Sequence, residues 1–345
     1  MGPRPADFDC SVSAPGVRWY APVGEGDRRT LGDWCRTVGP PVVVSLPVGE
    51  FGAWQDGESL AVVTWNVHGG SGDLLAFLER ELHLFCGGEP RRGDAFSHFV
   101  ILLQETYRRS ADVPVLPPGA TIPPRLRESA TPGRRLDVTE VARRCGLALF
   151  YVPSMRNGHE EVDGEREDRG NAILSTVPLA DCIAIELPFE AQRRVGAAAT
   201  VRSAAGDSLR VVSLHLDVAS SLARVLYTGN AAHARQGAGM LAALRQLEEE
   251  RGDPGDARAA ISTAIGGDFN TWAADETVLR DFARQLPDSP PRDAEPTRGQ
   301  FPTDHLFFGQ GHSTRVGIVA GSYRRADQRY DSDHHPRIVL LRLAL

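Results

Sequence analysis

Past residue 60 the chain breaks its hydrophobic content into nine short runs of five to nine residues, each the length of a β-strand. They are Ala61–Val67, Phe99–Leu103, Leu147–Val152, Asn171–Ser175, Val195–Val201, Leu209–Leu216, Ile261–Phe269, Asp304–Phe308 and Arg337–Leu343. Helical periodicity is scarcer. Asp73–Phe85 sets Leu74, Leu75, Phe77, Leu78, Leu82 and Phe85 on one face, with Asp73 placed to favour the helix dipole. Ala231–Glu250 carries Met240, Leu241, Leu244 and Leu247 in the same way, and Asp275–Leu286 is a third candidate. Many short strands among few helices predict an α+β chain, with packed sheets covered by helices.

Residues 1–58 follow a different pattern. Gly39-Pro40-Pro41 and Pro47-Val48-Gly49 interrupt them, and Leu31–Cys35 is their one short helical candidate. They read as an irregular N-terminal extension packed on a main domain of residues 59–345. Within that domain Ser110–Arg135, rich in proline and carrying Arg125, Arg127, Arg134 and Arg135, reads as a long loop of the kind that is either disordered or functional.

All 38 basic residues are arginine. The absence of lysine excludes Schiff-base aldolases, pyridoxal enzymes, P-loop phosphate binding through lysine and Ser-Lys hydrolases. A formal charge of -7 argues against nucleic-acid binding by net charge, although local arginine clusters can still meet phosphates. No transmembrane stretch or signal peptide is visible, so the chain reads as soluble and cytoplasmic by default; a mature secreted form would look the same. Five scattered cysteines, Cys10, Cys35, Cys86, Cys145 and Cys182, contain no C-x-x-C pair. At least one must be unpaired within a monomer, and buried thiols are the expectation for the set.

The chemistry collects where the apolar runs end. Asn66 closes one run and Glu105 follows another; His215 and Asp217 flank Leu216, Asp268 and Asn270 flank Phe269, and Asp333-His334-His335-Pro336 precedes the last run. Strand ends are where a rigid element presents side chains to a cleft. Each residue alone would be a solvated end or a satisfied histidine. Together they offer hard oxygen donors and two imidazoles without a cysteine cluster, which suits Mg²⁺ or Mn²⁺ better than structural zinc.

Trp65-Asn66-Val67, Leu103-Gln104-Glu105, Gly170-Asn171-Ala172-Ile173-Leu174-Ser175, His215-Leu216-Asp217, Gly267-Asp268-Phe269-Asn270, Thr303-Asp304-His305 and Ser332-Asp333-His334-His335-Pro336 resemble the ordered motifs of the endonuclease/exonuclease/phosphatase superfamily. The resemblance runs from about residue 60 to the end. It implies a four-layer α/β/β/α sandwich of the deoxyribonuclease I type, with two packed, mostly antiparallel sheets and the site at one edge. It also implies roles. Glu105 would be the principal metal ligand with Asn66 beside it, and Asp333 a metal or water ligand. Asp268, the favoured base, and Asn270 would orient water and phosphate. His215 and His334 would donate to phosphoryl oxygens, with Asp304 fixing the His334 tautomer. Asp168 stands where relatives often carry a glutamate supporting the first histidine, with Glu167 or a surface-loop role as alternatives. Asn171 and Arg194 are candidate substrate contacts, Arg194 being equally readable as a solvated strand end. His68, His233, His305 and His335 are expected to be structural or flanking.

A phosphodiester is anionic and resists attack, so such a site needs a cation, fixed donors and a base beside phosphorus. The leading expectation is a metal-dependent nuclease of the DNA endonuclease type, favoured by arginines between 106 and 144 that could follow a nucleic-acid backbone. The alternative is a sphingomyelinase-like phospholipid or inositol-phosphate phosphoesterase, compatible with the acidic charge. An inactive binding module on the same fold is a third reading.

Overall fold

The computed structural model describes residues 14–21, 24–46, 51–86, 98–115, 135–157, 164–218, 231–250, 261–291, 295–311 and 315–343. Along them run β1 (Val17–Tyr20), α1 (Glu25–Cys35), β2 (Val42–Val44), β3 (Ser59–Asn66), α2 (Leu74–Leu82), β4 (His98–Ser110), α3 (Val138–Arg144), β5 (Ala148–Arg156), β6 (Arg166–Ser175) and β7 (Ala180–Glu186). There follow β8 (Val195–Arg202), β9 (Ser208–His215), α4 (Ala231–Glu249), β10 (Ser262–Asp268), α5 (Thr277–Gln285), β11 (Asp304–Gly309), β12 (Val316–Ile318), β13 (Arg324–Arg325) and β14 (Arg337–Leu343). One sheet has the order β1-β7-β8-β9-β10-β11; the other runs β12-β14-β3-β4-β6-β5-β2, with β13 paired to β14. Most pairings are antiparallel, the exceptions being β1 with β7, β9 with β10, and β3 with β4.

Strand alternation explains the sandwich. Leu60 and Val62 point into the layer between the sheets with Leu102, Phe150, Ala197, Val211 and Leu306. Their neighbours Ala61, Val63 and Trp65 point outward under α2 and α3, against Phe77, Leu78 and Val141. On the far side α4 and α5 cover the second sheet through Met240, Leu244 and Phe282, packed on Ile185, Leu214 and Ile265. Both faces of these strands are buried, which is why they read as continuous apolar runs rather than alternating ones. Truncating a central side chain such as Ile173 to alanine would cost about 2–5 kcal/mol.

Local signals set the helix ends. The Asp73 carboxylate accepts the Ala76 N–H at 3.0 Å and starts α2, which stops at Leu82 because His83 turns left-handed with φ 55°. Asp137 caps α3, too short at seven residues to show a helical repeat in sequence, by accepting from the N–H groups of Thr139 and Glu140.

The N-terminal segment is more regular than expected. Its strand β1 joins one sheet and β2 the other, with α1 between them in the chain. Most of the Ser110–Arg135 loop lies outside the described residues. The expectation of buried thiols is corrected: Cys86 and Cys145, 59 residues apart, form a disulfide, and Cys35 is also disulfide-bonded. Short-range spacing carried no trace of this, since the Cys86–Cys145 pairing depends on the tertiary approach of α2 to the end of α3. Cys182 is free and buried, and that burial pushes its thiol up to about 11.

Candidate active site

The two parallel strand pairs gather the polar strand ends. Asn66 is level with Gln104 across β3 and β4, while His215 is level with Asp268 across β9 and β10. Because β11 is antiparallel to β10, its first residue, Asp304, pairs with Asp268. One sheet therefore presents His215, Asp268 and Asp304 in a row, and the other presents Asn66 and Glu105 opposite them. The sheets can close because residue 266 is glycine; a Cβ there would lie 2.7 Å from Thr64 Cβ and 2.9 Å from Leu102 Cδ1. Across the seam Asn66 Nδ2 donates to Asp268 Oδ2 at 2.9 Å, and Gln104 Nε2 to Ser213 Oγ at 3.1 Å.

Glu105 sits in a bulge. The β4–β6 register shifts between Leu103 and Thr106, and Glu105 takes φ 52°, a conformation that non-glycine residues hold only under constraint. The bulge takes Glu105 out of the strand's alternation and toward the seam. Burial works to raise its carboxyl, but Arg169, Arg194, His334 and His68 outweigh that and hold it below the usual glutamate range. The side chain is 26% exposed, its closest cationic atoms, Arg169 Nη1 and His215 Nε2, are 4.0 Å away, and no described residue donates a hydrogen bond to it. An anionic carboxylate left open in this way, beside the carboxamide of Asn66, fits a hard divalent cation.

Asp268 is the hub. Its Oδ1 accepts the Asn270 N–H at 2.8 Å, and its Oδ2 lies 3.5 Å from His215 Nε2 and 3.7 Å from His334 Nε2. Burial raises its carboxyl to about 6, against the opposing pull of His334. His334 is the counterpart. Burial disfavours its charge, yet Asp304, 2.7 Å from Nδ1, and Asp268 together lift it to about 9. Asp268, Asp304 and His334 bring ligand atoms within 4.8 Å of one another. These three are already engaged, Asp304 on His334 and Asp268 on Asn66, whereas the Glu105 carboxylate is open.

His215 is held in the opposite charge state. Arg194 Nη1 lies 3.0 Å from its Nδ1, and a guanidinium can only donate, so Nδ1 accepts and the proton resides on Nε2, facing Asp268 and Glu105. Burial, then Arg194 and His334, keep the ring well below the ordinary histidine range and neutral. Asp217 holds this arrangement from behind. It lies 3.9 Å from Arg194 Nε and accepts the N–H groups of Ala191 and Gln192 in the loop leading to Arg194.

Asp168 is not placed at His215. It is fully buried, bound to the Arg108 guanidinium, the Tyr151 hydroxyl and the Gly39 N–H. Glu167 is equally removed, bound to Tyr107, Arg135 and Asn157. The group that meets Nδ1 of His215 is the guanidinium of Arg194, which is itself buried rather than open to substrate. Asn171 gives its amide nitrogen to the Val195 and Ser213 carbonyls, 2.8 and 3.3 Å away, and ties the sheets together. Asn270 anchors its amide on the Leu216 carbonyl at 2.9 Å. Asp333 lies at the rim, 3.1 Å from His68 Nδ1 and 2.9 Å from Arg298 Nε; these two neighbours and His334 hold its carboxyl far below the usual range despite partial burial.

Arg169, Arg298 and His68 were not singled out as site residues by sequence reasoning. Arg169 directly precedes the Gly170-Asn171 motif, which was its one available signal; Arg298 reaches the site only through a turn distant in sequence.

A sandwich whose sheet ends enclose carboxylates and imidazoles in this order is the deoxyribonuclease I-like fold. The chain belongs to the Endonuclease/Exonuclease/phosphatase family, whose model matches residues 63–334. Its structure is similar to that of an endonuclease/exonuclease/phosphatase from Beutenbergia cavernae, with 18% identity and a TM-score of 0.50, covering 83% of this chain and 72% of that one. The human Nocturnin catalytic domain with bound sulfate gives 16% identity and a TM-score of 0.48, over 87% of this chain and 97% of that one. Truncated Caenorhabditis elegans TDP2 gives 13% and 0.43, over 83% and 98%. No curated protein sequence matches the chain.

Proposed function

We propose that the protein hydrolyses phosphodiesters in nucleic acid with the help of a divalent cation, magnesium or manganese, held by Glu105 and Asn66 with Asp333 at the margin. The observation that carries this reading is the Asp268 carboxylate set 3.5 Å from His215 Nε2 and 3.7 Å from His334 Nε2, with the open carboxylate of Glu105 4.0 Å from the same His215 nitrogen. When bound, the cation neutralises charge on the phosphate. Asp268, ionised above about pH 6, accepts the proton of the attacking water. His334 donates as an imidazolium, and His215 donates through Nε2 without adding charge, so both stabilise the charge developing on the phosphoryl oxygens. Asn66 and Asn270 orient Asp268 by filling its remaining acceptor positions.

The test is hydrolysis of plasmid DNA, single-stranded DNA, RNA, sphingomyelin and inositol phosphates, each with metal and with chelator. Chelator-insensitive turnover, or turnover unaffected by Glu105→Ala, would overturn the mechanism. A second reading, a lipid or small-molecule phosphoesterase, draws support from the spent arginines: Arg108 is bound by Asp168, Arg109 faces Glu165 at 3.5 Å, and Arg135 is bound by Glu167, while Arg125, Arg127 and Arg134 lie outside the described residues. Lipid turnover without cleavage of any nucleic acid would establish that reading instead.

The disulfides bear on where the protein works. Such bonds persist in oxidising compartments and are rare in the cytosol, so we favour an exported protein over the cytoplasmic default. Alkylation of the denatured, unreduced protein should leave Cys86 and Cys145 unlabelled; labelling of both in material taken directly from cells would reverse the assignment.

A further inference from the structure

Beside the catalytic carboxylates the chain leaves two aromatic rings in the open. Trp272 lies two residues after Asn270, and Phe301 three before Asp304. Their rings are 5.4 Å apart at an interplanar angle of 31°; Phe301 is 43% exposed and Trp272 half-buried. They are not spill-over from the core, because Phe269 between them and the strand turns inward against Phe282 and Phe307.

The mounting is firm. The turn from Arg298 to Phe301 closes on itself through Phe301 N–H to Arg298 O at 2.9 Å and Arg298 N–H to Phe301 O at 3.2 Å. Arg298 pairs along the backbone with His334, and Thr271 Oγ donates to Pro302 O at 2.7 Å, so both aromatic segments are tied to each other and to the site. At the inner edge stands Arg298, its Nε on Asp333 and its side chain 44% exposed.

We propose that Trp272, Phe301 and Arg298 form a platform for an unpaired nucleobase adjoining the scissile phosphate, with the rings stacking on the base and the guanidinium meeting a flanking phosphate. The proposal rests on the nucleic-acid reading above and narrows it to single-stranded or locally opened substrates. Aromatic faces accept any base but only one already out of its own stack, which duplex interiors do not offer. A duplex-tracking groove would instead need several open cations in a line, whereas Arg108 and Arg135 are held on carboxylates with side chains 2% and 17% exposed; Arg298, though its Nε meets Asp333, keeps 44% of its side chain open.

The experiment measures kcat/KM on single-stranded oligonucleotides that are identical except for a normal or an abasic nucleotide beside the cut site, and on the duplex of the same sequence. Stacking of one base is expected to favour the normal strand over the abasic one between about 5-fold and about 150-fold. Phe301→Leu and Trp272→Leu should bring that ratio toward one. Titration with adenosine 5′-monophosphate should quench Trp272 fluorescence, and a Trp272→Phe variant should lose that quench. Cleavage of nucleic acid with equal rates on normal and abasic strands, or a ratio unmoved in both leucine variants, overturns the platform and leaves the nuclease reading intact. Turnover of sphingomyelin vesicles with no strand cleaved overturns both.

Discussion

Replacing Asp304 with asparagine preserves shape while removing the charge that keeps His334 protonated. The carboxylate lies 2.7 Å from Nδ1 and both residues are buried, so solvent does little to screen the pair. A rise from 6.5 to about 9 corresponds to about 3 kcal/mol of preference for the imidazolium, net of a burial cost that acts the other way. Because this pKa is raised, its contribution to folding is present in full below pH 6.5 and lost as the pH climbs through about 9. In the unaltered enzyme kcat/KM should rise as Asp268 ionises through about pH 6 and fall as His334 deprotonates through about pH 9. In Asp304→Asn the alkaline limb should move to about 6.5 or lower, leaving roughly one-tenth of the histidine charged at about pH 7.5 and costing about tenfold in rate there. The assay is a full pH profile at saturating metal, supported by NMR titration of the His334 ring. An alkaline limb that stays near 9 in the variant would refute the assignment of that limb to the Asp304–His334 pair.

Three further outcomes follow from the geometry. Arg194→Leu frees Nδ1 of His215 to take up a proton, so kcat should fall about 100-fold, and the His215 ring signal should titrate at a higher pH than in the parent; an unchanged ring titration would show that Arg194 does not set the tautomer. Asp168→Asn leaves the buried guanidinium of Arg108 unpaired and should cost about 3–5 kcal/mol in chemical denaturation, with His215 still reporting its parental titration. Cys86→Ser closes no 59-residue loop and should lower stability by about 4 kcal/mol, read as a shift in the denaturation midpoint; reductant should shift the parent at least as far, because it also breaks the disulfide at Cys35.

The interior strands were legible because both of their faces are buried, which turns a strand into an uninterrupted apolar run. Edge elements were not. Strand β2 is three valines, too short beside Gly39-Pro40-Pro41 to read as a strand, and β7 mixes Asp181 with alanines, so it does not stand out as a hydrophobic segment. The polar strand ends were legible as candidates because each closes an apolar run, and the structure brings Asn66, Glu105, His215, Asp268, Asp304 and His334 together at one seam. Their supports were harder to read, because a supporting contact depends on which neighbour arrives from another strand. Sequence position put Asp168 behind His215, but β6 carries Asp168 toward Arg108 and Tyr151, while the loop before β8 brings Arg194 to the histidine instead. The same applies to charge: counting arginines between 106 and 144 suggested a cationic track, yet three of them meet carboxylates supplied by β6 and the turn before it.

The N-terminal segment also decides where each sheet ends. By laying β1 along β7 and β2 along β5, it occupies the outer margin of each sheet, where rows of backbone N–H and C=O groups would otherwise stand ready to recruit another chain. The β2 pairing is reinforced from within, because Gly39 and Pro40 hydrogen-bond the buried Asp168–Arg108 pair just ahead of it. Removing the first 45 residues would thus unzip one border of each sheet and strip a buried ion pair of its cover. The shortened protein would be expected to self-associate, even with every catalytic side chain still present.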